Sequence, residues 1–291
     1  MQTRKPIVAG QFYPAQNSEC IEEINKYVLS YTGEEELGDC ITGGIVPHAG
    51  WIFSGSIAAM TFSAIKEKHE RVNTFVVFGA AHSYIQNKPA IFDSGSWRTP
   101  LGDIAIDEDL AATVLETKTA VSDPQAHATE HSIEVQIPFI QHLFPGAKIL
   151  PIITPPSPDS IELGTAIGEI IKKLENKKVI CIGSTDLTHY GPRYGFTLKG
   201  SGAEGIEWAK NVNDRQFIDT AVAMDAEKLL RTSITASNAC GPGATAAVVQ
   251  AAKVLGVTKG ILLGHTTSYD VMLKKMAIES TESVGYASIV F

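Results

Sequence analysis

The sequence has no CxxC pair: its four cysteines, Cys20, Cys40, Cys181 and Cys240, are scattered through 291 residues. That spacing argues against a thiolate zinc finger and fits a reducing compartment. Long apolar runs are missing too. Nothing approaches the roughly 20 residues of a membrane span, and the opening MQTRKPIVAGQFYPAQ lacks the apolar core of a signal peptide. The expectation is a soluble, cytoplasmic protein. Excess positive charge is also absent. A formal net charge of −8 argues against a general nucleic-acid surface, which needs a basic stripe, and leaves room only for a local basic pocket. No internal repeat and no long polar break interrupts the alternation of strand-like and helix-like segments, so residues 1–291 read as a single α/β domain.

What is there centres on residues 178–191, KVICIGSTDLTHYG. An apolar, β-rich run reaches Gly183 and then releases Ser184, Asp186, Thr188 and His189 into a loop. Open α/β sheets put ligands at such carboxyl ends, because helices cover the faces and only the strand ends carry free loops. Two upstream segments repeat the shape: residues 41–48 end in Pro47-His48, and residues 74–82 end in Ala81-His82. A fourth run, 261–265, ends in His265. In one parallel sheet, side chains far apart in sequence converge at one rim. The pattern alone nominates His48, His82, His189 and His265, and spacing does not choose among them.

The flanking segments add candidates. Residues 1–20 read as an ordered arm, since Ile7, Val8, Phe12 and Tyr13 are too apolar to stay solvated. Residues 32–38, with Glu34, Glu35 and Glu36 in a row, read as a solvated loop. After His48, a helix is expected from about residue 56 to 68, capped by Ser54 or Ser56; Trp51 and Phe53 either wall a site or belong to the core. Residues 130–137 read as a helix start that sets Glu130 and Glu134 one turn apart, with His131 beside them and a kink at Pro138. That cluster is either a solvated edge or a set of acid/base groups. The loop 192–205 is a lid or a plain surface excursion, and Arg98 is a candidate anion contact. Cys240 precedes an alanine-rich helix, whose positive end lowers a thiol pKa and favours reactivity or metal ligation.

These segments together resemble the Memo family, named for a mediator of cell motility. The likeness is carried by AGQFYP, PHAGWIFSG, FGAAHS, WRTPLGD, EHSIE, STDLTHYG, NACGPG and SVGYASIVF, in that order from end to end. The resemblance implies the fold of LigB-type class III extradiol dioxygenases, an α/β sandwich on a mixed, largely parallel sheet. It implies His48, His82 and His189 as metal ligands, with Cys240, Asp186 and His131 at the same pocket as redox, ligand-orienting or proton-moving groups. His265 lies on no family motif. Three histidines depart from the two-histidine, one-carboxylate iron set of the related dioxygenases and suit iron, copper or zinc. Iron or copper redox chemistry is therefore one expectation. A zinc hydrolase with Asp186 or Glu134 as base is a second, and a peptide- or anion-binding adaptor using Arg98 or Arg193 is a third. Prokaryotic members are also grouped with a radical-SAM protein and an AMMECR-type protein, which makes these candidate partners.

Overall fold

Four short runs dominated by Val, Ile and Phe are apolar at nearly every position, the pattern of strands buried on both faces. In the computed structural model, which describes residues 2–33 and 36–291, they lie side by side and parallel. Gly43–Val46 pairs with Val179–Ser184, which pairs with Thr74–Gly79, which pairs with Lys148–Ile153. Antiparallel strands extend both sides. Ser283–Val290 pairs with Gly43–Val46 and with Ile261–Thr267, and Ala90–Ile91 runs against Lys148–Ile153. The result is a mixed α/β fold with nine strands in this sheet among the described residues, and a small three-stranded sheet beside it.

Alternation along the central strands splits the core in two. Phe75, Val77, Ile180 and Ile182 face the helices Asn17–Leu29 and Trp51–Lys68, while Val76, Phe78, Val179 and Cys181 face Pro158–Lys172 and Pro242–Val254. On the second face the alanine-rich helix sits unusually close to the sheet. A Cβ on Gly183 would lie 2.6 Å from Val248 Cγ1, so only glycine permits this approach. The close fit brings the start of that helix, and Cys240 just before it, down to the sheet rim.

Several local expectations are revised. The helix after His48 begins at Trp51 with Gly50 as its N-cap and no side-chain cap, so neither Ser54 nor Ser56 starts it. Residues 130–137 are not one helix. A turn leads into the 3-10 segment Glu134–Gln136, and the α-helix Ile137–Leu143 follows with Pro138 in its first turn, where a proline costs no hydrogen bond. Farther along, a π-helical turn, Ala209–Asn213, joins the helices Ala203–Trp208 and Asp214–Val222. Of the three-glutamate run, Glu34 and Glu35 lie outside the described residues.

The N-terminal arm is ordered, for a reason the sequence hides. Buried Glu134 ties it down. Its carboxylate accepts from Arg4 at 2.7 Å, from the backbone N–H groups of Ile7 and Val8 at 2.9 and 3.0 Å, and from the Tyr13 hydroxyl at 2.9 Å. With its oxygens occupied in this way, Glu134 is no candidate for a catalytic base. Arg98 is likewise committed, to Asp103 at 2.7 and 2.9 Å, on the small sheet. Trp51 belongs to the core, whereas Phe53 reaches the cavity described next.

Candidate metal centre

The parallel strands stop in register, with Val46 opposite Ser184 and Phe78 opposite Gly183, so the segments that follow them emerge at one rim. There a cavity of about 540 Å³ is lined by His48, His82, His131, Asp186 and His189. One ligand atom from each of His48, His82 and His131 lies within 4.8 Å of the others. The expected trio and the trio the fold gathers at ligand distance differ in one member. His131 stands in the group, its ring stacked on His82 at 5.0 Å and edge-on to His48 at 5.5 Å. His189 lines the same cavity outside that group, against Tyr194. His265 lies within the strand Ile261–Thr267, not past its end, and is paired with Asp214 at 3.0 Å.

Hydrogen bonds decide which nitrogen each ring presents. The Ser184 hydroxyl donates its one proton to the Ser132 carbonyl at 2.7 Å, so toward His48 Nδ1, 3.1 Å away, it accepts. Nδ1 of His48 therefore carries a hydrogen, and Nε2 is the nitrogen left to the site. Gln136 supports the arrangement by donating to Ser184 Oγ and to the Pro47 carbonyl. His82 is set the same way. Its Nδ1 faces both oxygens of Glu130 at 3.0 and 3.1 Å, leaving Nε2 to the site. Carboxylate or hydroxyl partners on the far nitrogen are the usual way proteins orient metal-binding imidazoles.

Cys240 lies against this group. Its Sγ is 3.1 Å from His48 Nε2 and accepts the Asp186 backbone N–H at 3.3 Å. Burial alone would raise this thiol, but the charge and hydrogen bond of His48, with a hydrogen bond from His82, bring it down to about 7. Burial pulls His82 the other way, yet its bonds to Cys240 and Glu130 raise it to about 10. For Glu130, burial is outweighed by the His82 bond and charge and the Ser132 N–H, which hold it well below the usual carboxylate range. Burial lowers His48 and His131. Cys240 and His82 thus shift in opposite directions, each favouring the charged form of the other.

Asp186 is pushed upward by burial, partly offset by the charge of His189. Its Oδ1 accepts the backbone N–H of His48 at 2.7 Å and of Ala49 at 3.2 Å, fixing the loop that carries His48. His189 Nδ1 lies 3.0 Å from the Leu187 carbonyl, so it carries the proton and Nε2 is the free nitrogen. Behind the site, the end of the π-helical turn holds two loops at once. Asp214 accepts the Thr188 N–H at 2.9 Å, Asn213 donates to Thr188 Oγ1 at 3.0 Å, and the Asn213 carbonyl accepts from Asn238 at 3.1 Å. Reasoning from sequence missed Ser184, Gln136, Asn213 and Asp214 as supports. Glu130 was within reach, because EHSIE places an acid beside a histidine.

A family model described as Memo-like protein matches residues 4–290. The chain belongs to the Memo family. Similar relatives, each bearing the name MEMO1 family protein, include one from Thermococcus onnurineus, 38% identical over 296 residues that span 99% of each chain. Another, from Pyrococcus furiosus, is 37% identical over 296 residues, covering 99% of this chain and 98% of its own. A third, from Pyrobaculum arsenaticum, is 35% identical over 299 residues, covering 100% and 99%. Among the described residues of this Memo family chain, no helix is long and apolar enough to cross a membrane.

Proposed function

We propose that this Memo family protein is a cytoplasmic, single-domain metal-binding protein in which His48, His82 and His131 supply imidazole donors and Cys240 a thiolate. One observation carries the reading. Three imidazoles gather their ligand atoms within 4.8 Å, and two of them have their far nitrogens tied so that Nε2 faces the cysteine sulfur. Such a mixed nitrogen and sulfur set suits a soft or borderline transition metal and not magnesium or calcium. Iron or copper bound there supplies one-electron chemistry, and the LigB-type resemblance favours an oxygenase-like task. The protein's own contribution is to orient and to move protons. Asp186 holds the His48 loop, and His189, with its free Nε2 on the cavity wall, accepts or returns a proton at the substrate.

Zinc is the second reading, because imidazole and thiolate are equally its donors. Asp186 is then the base, since Glu134 is engaged with the N-terminal arm. The reading is tested by measuring metal content and affinity in His131→Ala and His189→Ala. His131→Ala is expected to lose far more affinity than His189→Ala. The reverse order returns His189 to the ligand set. Oxygen uptake with the iron- or copper-loaded protein, against ester or amide hydrolysis with the zinc-loaded one, separates the two chemistries.

A further inference from the structure

The cavity holds a second feature besides the candidate ligands. Its mouth carries Arg193, on the 3-10 turn Pro192–Tyr194. Two contacts hold the turn: the Arg193 backbone N–H donates to Glu282 Oε1 at 3.1 Å, and Tyr194 packs edge-on against His189 at 5.1 Å. The guanidinium, by contrast, has no hydrogen-bond or ion-pair partner among the described residues. The two acids that line the cavity are already engaged with backbone donors, Glu282 with Arg193 N–H and Asp186 with the N–H groups of His48 and Ala49. Of the two arginines singled out from sequence, Arg98 is closed off by Asp103, and Arg193 alone faces the site.

Much of the cavity wall is apolar or aromatic, including Phe12, Phe53, Met272 and Tyr286. A volume of about 540 Å³ is that of a small-molecule site. On a chain with net charge −8, an anion gains little from the overall field. The attraction must be local, and a fork of unpaired N–H donors at the mouth provides it. We propose that the cavity takes a small organic carboxylate with an apolar body, its anionic end held by Arg193 and its body against the apolar wall. This deepens the metal-binding reading only in that the ligand's other end then faces the histidines; the carboxylate site itself stands without a metal.

The test is calorimetric titration of the whole protein, metal-free and metal-loaded, with 3-phenylpropanoate and with the matching neutral amide, 3-phenylpropanamide. The carboxylate is expected to bind at least about ten-fold tighter, the worth of one charge-assisted contact. Arg193→Gln removes that preference and Arg193→Lys retains part of it, each read as the ratio of carboxylate to amide affinity in the same variant. Equal binding of the two probes, a preference that survives Arg193→Gln, or no binding of either at millimolar concentration overturns the proposal. His48→Ala separates it from the metal reading. A charge preference kept in metal-free protein and in His48→Ala upholds the carboxylate site whatever becomes of the metal.

Discussion

His48 and His127 are both buried, at 2% and 0% exposure, and burial lowers the basicity of both. They have little else in common. His127 sits between Phe92 and Trp97, gives Nε2 to the Ala90 carbonyl at 3.1 Å, and leaves Nδ1 without a hydrogen-bond partner, its pKa down to about 3. It is a core residue that stays neutral. His48 has one nitrogen wired to Ser184 and the other turned to Cys240, with two more imidazoles bringing a ligand atom within 4.8 Å. Burial therefore does not mark a ligand. A tied far nitrogen and a shared space for the near one do.

The sharpest way to break that contrast is to remove each ring in turn. His48→Ala or His82→Ala is expected to weaken binding of a divalent transition metal by at least about 100-fold, more than is typical for a supporting group. His127→Gln should leave it unchanged, as read by competition with a chromogenic chelator. Equal effects from the two positions would erase the distinction.

The cysteines extend the same comparison. In metal-free protein Cys240 should be alkylated with a pH midpoint near 7. Burial pushes Cys20 and Cys181 up to about 12, so at neutral pH they should react slower by a factor on the order of 1,000 or more. Mass spectrometry of the labelled peptides reads this, and His48→Ala should move the Cys240 midpoint upward.

Glu130→Gln keeps the backbone carbonyl that Arg4 uses but removes the carboxylate from His82. A loss of about 10- to 100-fold in metal affinity is expected, measured by the same competition. No loss would mean that His82 needs no orienting partner.

The smallest effect belongs to His127 and appears in stability. Its folded pKa of about 3 lies below the ordinary 6.5. Below about pH 6.5 the unfolded chain takes up a proton that the folded chain refuses. Stability is therefore unaffected above that pH and falls progressively toward pH 3, by roughly 2 kcal/mol at pH 5. Urea midpoints between pH 7 and 5 should drop less steeply in His127→Gln than in wild type.

Much of this was legible in the chain itself. Apolar runs that end in His48, His82 and Asp186 announced parallel strands feeding one rim, because a strand buried on both faces must be continuously apolar. The position of Cys240 before an alanine-rich helix pointed to a lowered thiol, but the lowering comes from His48 and His82, which no local pattern ties to it. His131 did not declare itself as a ring facing the other two. Helical periodicity was assumed through residues 130–137, where a turn and a 3-10 segment instead aim His131 at the cavity and Glu130 at His82. Glu134 was misread for a related reason: its partners, Arg4, Ile7, Val8 and Tyr13, are more than a hundred residues away, and no local pattern encodes a contact of that span. The tautomer-setting role of Ser184 was likewise invisible, since it depends on a carbonyl contributed by a separate loop.

The central claim is that three imidazoles and one thiolate form a single metal site. Cobalt(II) titration of metal-free protein tests it directly, read by cobalt stoichiometry and by the sulfur-to-cobalt charge-transfer band. The account predicts one cobalt per chain with the band in wild type, cobalt without the band in Cys240→Ser, and neither when His48, His82 and His131 are all replaced by alanine. Stoichiometric cobalt in that last variant would contradict it.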